Sequence, residues 1–116
     1  MRIRQLNQQS IEPADPQTFT GQATLVRMNG LNDDPSLNAY RVEFQPSART
    51  NWHTHTGPQL LVILSGICRL QRETEPVVEV RAGDVVCINP GEQHWHGAST
   101  NGPMTHLAIH VSSTTC

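Results

Sequence analysis

Apolar and polar residues alternate over short stretches along most of this chain. The clearest case runs from Met104 to Val111. There His106, Ala108 and His110 fall on one face and Leu107, Ile109 and Val111 on the other, because side chains along a strand alternate with a period of two. Tyr40, Val42 and Phe44 share a face by the same parity. The pattern predicts short strands near 19–29, 38–45, 51–56, 59–65, 67–73, 77–81, 84–89, 94–98 and 104–112. Val, Ile, Leu and Thr fill them, and Gly, Pro, Asn or Asp separate them. A further strand is expected at 2–6, an extended arm or loop at 7–17, and a turn-rich loop at 31–37. No segment sustains a 3.6-residue apolar period over three turns. The fold class is therefore all-β, a sandwich or barrel, with an N-terminal arm or strand over 1–18 and a barrel over 19–116.

Composition narrows the classes. A chain of 116 residues suits one domain with one modest core. Hydrophobic residues at 36 % and charged residues at 16 % suit a folded chain and not a disordered one. The net charge of −2 comes without a basic run, which argues against nucleic acid as a partner. The longest apolar run, Leu60 to Leu64, is too short to span a bilayer, and the N-terminus lacks the apolar stretch of a secretory signal. The expectation is a soluble, cytoplasmic protein with no membrane partner. Cys68, Cys87 and Cys116 give no disulfide framework and no Cys-x-x-Cys signature. Cys68 and Cys87 read as small buried hydrophobes, and Trp52 and Trp95 as barrel packing.

Histidine carries the candidate chemistry. Six occur, and His53/His55 and His94/His96 are each two apart, so each pair can aim both rings to one side of a strand. Imidazole is the commonest protein ligand for borderline divalent metals. A lone His-x-His is more often a pair of polar or hydrogen-bonded side chains; the surrounding string decides. His53-Thr-His55-Thr-Gly-Pro-Gln59 is followed, after six intervening residues, by Gly66, and Gly83 leads through Pro90-Gly91 to His94.

These strings resemble the two motifs of the cupin superfamily, over roughly residues 38 to 111. The resemblance implies a cupin (RmlC-like) jelly-roll β-barrel that binds one metal ion through His53, His55, Gln59 and His94. Gly66 and Gly83 suit tight connections, and Pro90-Gly91 makes the turn that delivers His94. The chain departs from the motifs at Ser47 (Gly in the pattern), Gln59 (Glu), Asn89 (Pro) and Ala98 (Asn). The Gln59 departure alters the chemistry. An amide oxygen carries no charge, so a divalent ion held by three neutral His and Gln keeps its full +2. It becomes a stronger Lewis acid and favours an anionic ligand. The other reading of Gln59 is a residue behind a site of three His.

A narrower likeness is to the cupin-type hydroxynitrile lyases. It lies in Ala48-Arg49-Thr50, Trp52-His53-Thr54-His55, Gln59, Pro90-Gly91-Glu92, His94-Trp95-His96-Gly97 and Met104 to Ile109. It implies manganese, with iron, nickel, zinc and cobalt as alternatives, and cleavage of cyanohydrins to an aldehyde and hydrogen cyanide. His106 would be the general base and His96 a second catalytic group. Tyr40, Val42, Phe44 and His110 would line the substrate pocket. Along a straight strand His106 and His110 lie about 13 Å apart, at ~3.3 Å per residue, so both touch one small substrate only if the strand bends. The competing readings are an iron-dependent dioxygenase acting on a small aromatic or thiol, and a non-catalytic ligand-binding cupin. A small-molecule substrate and a homodimer are the expected partners.

Overall fold

The computed structural model describes residues 3–28 and 37–111. Its strands are β1 (Glu12–Pro13), β2 (Phe19–Thr20), β3 (Ala23–Arg27), β4 (Leu37–Phe44), β5 (Arg49–Thr50), β6 (Gln59–Ser65), β7 (Ile67–Arg72), β8 (Val78–Arg81), β9 (Val85–Ile88), β10 (His94–Ala98) and β11 (Met104–Val111). They form a six-stranded sheet, β1-β3-β4-β11-β6-β9, and a five-stranded sheet, β2-β5-β10-β7-β8. All the pairings are antiparallel.

The alternation read from the sequence becomes the sandwich interior. On β4, Asn38, Tyr40, Val42 and Phe44 are buried, and on β11, Met104, His106, Ala108 and His110 are buried. Paired positions share a face, so His106 sits beside Val42, Ala108 beside Tyr40 and His110 beside Asn38. Phe44, Leu61, Ile63, Met104 and Cys68 close the interior as an apolar core. Burial pushes the Cys68 thiol up to about 12, which keeps it protonated and inert.

The expected strand over 19–29 is broken in two. Gly21 has φ of 85°, and there the chain leaves the five-stranded sheet for the six-stranded one. A Cβ at that position would lie 2.8 Å from the Ala48 Cα, so the crossing needs glycine. Gly66 makes a similar crossing at φ of 79°. Residues 51–56 are not a continuous strand: β5 is Arg49–Thr50, and His53 joins His94 through an isolated bridge.

No strand forms at 3–6; Leu6–Gln8 is a single 3-10 turn. Cys87 is exposed, against the expectation of burial, because its parity places it on the outer side of β9. Trp52 is 45 % exposed and does not pack the barrel. Trp95 is buried, with its Nε1 donating to Gln71 Oε1 at 2.9 Å and the Arg49 guanidinium 3.9 Å from its ring centroid. The loop expected at 31–37 lies outside the described residues up to Ser36, as do Arg2 and Cys116.

Ser47 explains one departure from the motif. Ala48 N donates to Gln45 O at 2.9 Å across Pro46-Ser47, and Ser47 has φ of 68°. Proline at the second position and a positive φ at the third are the demands of a type II turn, which favours glycine there. Ser47→Gly should therefore stabilise the protein by about 0.5–1 kcal/mol, since a left-handed L-residue costs roughly 1–2 kcal/mol and glycine's extra unfolded freedom offsets part of that. Urea unfolding should show a higher midpoint at unchanged slope. An unchanged or lower midpoint would contradict the strain argument.

Candidate metal centre

The site is built where two separate stretches of backbone meet. His53 and His94 exchange reciprocal N–H···O bonds of 3.0 Å, although no ladder continues on either side of His53. Side chains of such a pair lie on the same side, and their ring centroids are 4.3 Å apart. His55 completes a triangle, 4.9 Å from His53 and 5.3 Å from His94. Asn89-Pro90-Gly91-Glu92 holds that arrangement from below. Gly91, at φ of 75°, donates its N–H to His55 O at 2.9 Å.

The tautomers are set by main-chain carbonyls. His53 Nδ1–H donates to Asn51 O at 2.7 Å, and His94 Nδ1–H donates to Glu92 O at 2.8 Å. In each neutral ring the lone pair is therefore on Nε2, the arrangement a metal-binding histidine uses. Among the described residues His94 Nε2 is buried without a hydrogen-bond partner. A metal ion would satisfy it, and these donors fit one. Gln59, buried at the start of β6, hydrogen-bonds the His55 side chain. His110, its cross-strand neighbour, stacks on His55 at 5.1 Å.

The remaining histidines form a second group. His106 Nε2 and His96 Nδ1 are 3.2 Å apart, so one ring donates to the other. Phe44 meets both edge-on, at 5.1 Å from His106 and 6.1 Å from His96. A register shift between Thr105 and His106 marks a bulge against β6, and bulges re-aim side chains. His96 reaches the metal centre as well: ring nitrogens of His53, His94 and His96 lie within 4.8 Å of one another. So His106 pairs with His96, His110 stands against His55, and the two β11 histidines serve opposite parts of the site.

A cavity of about 270 Å³ ends on His96 and His106 and is lined also by Tyr40, Val42, Leu25 and Phe19. Phe44 and His110 are not among its lining residues; Phe44 backs the histidine pair instead. A second cavity, about 260 Å³, reaches His94 from the opposite edge of the sandwich, between β7–β8 and β9. Both are small for ligand pockets, suiting molecules of few heavy atoms. The strap of residues 14–18 that walls the first cavity, and the His96–His106 pairing, were not foreseen from sequence.

Burial dominates the electrostatics. It lowers the pKa of His53, His94 and His96, and takes His55 and His106 down to about 4. At His55 the neighbouring His53, His94 and His110 add to the burial effect, and at His96 the neighbouring His106 does. All five are thus neutral at pH 7, as ligands or bases must be. At His55 and His106 the unfolded chain takes up protons from about pH 6.5 downward, the folded chain only near pH 4. Stability is therefore full above about pH 6.5 and declines as pH falls toward 4, by up to about 1.4 kcal/mol per pH unit for each such group. Urea midpoints of metal-free protein should drop clearly between about pH 7 and about pH 5. A flat profile would mean these rings are protonated in the folded state.

Comparison with known proteins agrees with this architecture. The cupin domain family model matches residues 40–110. The chain is 44 % identical over 112 residues to an (R)-mandelonitrile lyase of Granulicella tundricola, covering 94 % of this chain and 83 % of that protein. Among solved structures, a cupin-like protein of Thermotoga maritima superposes with a TM-score of 0.81 at 31 % identity, covering 88 % of this chain and 77 % of the other. A predicted oxalate decarboxylase of the same organism gives 0.84 at 18 % identity, covering 95 % and 98 %, a likeness of fold alone.

Proposed function

The chain belongs to the cupin domain family, and from that premise we propose that it is a divalent-metal-dependent lyase that cleaves small cyanohydrins in the manner of a hydroxynitrile lyase. The observation that carries the reading is the 44 % identity, over nearly the whole chain, to a protein named as an (R)-mandelonitrile lyase. The cluster of neutral, buried imidazoles supports it.

His53, His55, Gln59 and His94 would hold the ion, manganese first, with iron, nickel, zinc and cobalt as alternatives. When bound, the ion supplies Lewis acidity toward an oxygen ligand. The protein's own groups do the rest. Tyr40 and Val42 line the cavity and take the organic part of the substrate. His106, kept neutral by burial, is the general base for the hydroxyl proton. His96 shares that proton through the 3.2 Å contact. As the proton leaves oxygen, the O–H pair becomes the carbonyl π bond. The carbon–carbon pair departs with cyanide, which is reprotonated from the histidine pair. His110, stacked on His55, shapes the far side of the site.

Metal-loaded protein should release benzaldehyde from mandelonitrile well above the uncatalysed background, and chelation should abolish the excess. His106→Ala should lower kcat by about 10²–10⁴, the usual worth of a positioned acid–base group. Turnover at background by metal-loaded protein would sink the reading.

Among the described residues no helix is long and apolar enough to cross a membrane. We place the protein in the cytoplasm, as a homodimer. The outer face of the six-stranded sheet supports the pairing: Leu107 lies beside Val62, which lies beside Val85, and Ile109 lies beside Leu60. Such an apolar row on one face marks an interaction surface. Light scattering should give twice the chain mass, and Val62→Arg should halve it; a monomeric wild type would refute the pairing.

A further inference from the structure

The segment between β1 and β2 crosses an edge of the sandwich. β1 adds to β3 in one sheet and β2 adds to β5 in the other, so residues 14–18 form a strap between the sheets. Pro13, Asp15, Thr18 and Phe19 wall the cavity that ends on His96 and His106. Each anchor of the strap is two residue pairs long. Short ladders of this kind open locally at low free energy.

Asn51 stands where the strap meets the metal centre. Its N–H donates to Thr18 O at 2.8 Å, its Nδ2 donates to Gln17 O at 3.0 Å, and its Oδ1 accepts from Thr20 Oγ1 at 2.8 Å. Its carbonyl accepts from His53 Nδ1 at 2.7 Å. Two bonds hold the strap, a third holds β2 at its end, and the fourth holds an imidazole of the candidate metal centre. The bonds to the strap fix the conformation of residue 51, and that conformation aims the carbonyl at His53.

We propose that Asn51 is a positioning residue that couples closure of the strap over the cavity to the orientation of His53, so that metal binding and strap docking favour each other. The inference rests on His53 being a metal ligand, as in the proposed function. An undocked strap leaves residue 51 free to turn, and His53 loses the fixed acceptor that selects its Nε2 lone pair. Linkage then requires reciprocity: the factor by which docking tightens metal binding equals the factor by which metal tightens docking.

The probe is Mn²⁺ alone, with two readouts that need no turnover. Calorimetry on wild-type protein, Asn51→Ala and Thr20→Val gives the affinity. Hydrogen exchange at Ala14, whose N–H donates to Ala23 O, and at Asn51, whose N–H donates to Thr18 O, with and without Mn²⁺, reports docking of the strap. Mn²⁺ should slow that exchange by about tenfold in the wild type, the lower end of what outer-shell partners contribute to metal affinity. Asn51→Ala should weaken Mn²⁺ binding by about the same factor and erase the effect on exchange. Thr20→Val removes one exposed hydroxyl and keeps a strand-forming residue, so it should act in the same direction, more weakly, even if Asn51→Ala does not fold. Metal binding with unchanged affinity in the folded variants, or with strap exchange indifferent to Mn²⁺, overturns the coupling alone. Failure of the wild type to bind Mn²⁺, and equally Fe²⁺, Ni²⁺, Zn²⁺ and Co²⁺, overturns the metal-centre reading and the coupling with it.

Discussion

The reciprocal pair of backbone bonds between His53 and His94 is the constraint on which the site depends. It joins two stretches of chain that are far apart in sequence and puts two imidazoles on the same side at 4.3 Å. The approach is prepared further along. Ser47 N donates to Ser99 O, Ala98 N donates to Ala48 O, and His96 N donates to Thr50 Oγ1. Gly97 permits it, because a Cβ there would lie 2.4 Å from Ala48 O and 2.6 Å from Arg49 Cα. Those neighbours are backbone and cannot step aside. A side chain at this position would separate the two stretches and pull the histidine pair apart.

The second constraint is dielectric. His55, His94, His96, His106 and His110 are all buried within one small interior. Holding even two of them protonated there would cost burial energy and mutual repulsion, and the lowered pKa values express both. The neutral state leaves lone pairs that need partners. Main-chain carbonyls take the Nδ1 protons of His53 and His94 and orient the remaining nitrogens. The same burial makes the interior an unfavourable place for protons, and a metal ion held there would compete with protons for one set of atoms.

The fold was legible because parity is a local property. The alternation on β4 and β11 placed Tyr40, Val42, Phe44, His106 and His110 inward without any knowledge of partners, and the structure agrees. What failed was of another kind. Gly21 divides one apolar run between two sheets, a decision made by the approach of Ala48, far along the chain. His53 and His55 were expected to converge as alternate residues of a strand; they converge through an isolated bridge and a turn that holds the His55 carbonyl. Cys87 alternates outward while its apolar neighbours suggested burial. The tie from Asn51 to the strap had no signal in sequence, since an Asn beside a turn has many bland uses. Motif spacing singled out His53, His55, Gln59 and His94, and only tertiary geometry showed that His96 pairs with His106 while His110 stands by His55.

Gln59 acquires its meaning from what surrounds it. Among the described residues no Asp or Glu is buried; the polar groups of the interior are imidazoles, the amides of Gln59 and Asn38, and hydroxyls. An all-neutral donor set leaves a divalent ion's charge uncompensated in a medium where uncompensated charge is expensive. At a centre of the proposed composition the compensation would come from an anionic ligand. An alkoxide oxygen or a departing cyanide meets that need, and a neutral substrate meets it only after losing a proton. In the proposed reaction His106 and His96, which line the cavity, would take that proton. A carboxylate at position 59 would supply the missing charge in advance and weaken the demand for an anionic ligand. With Gln59 as a ligand, as proposed, the replacement of Glu by Gln would favour chemistry in which a negative charge develops on the substrate.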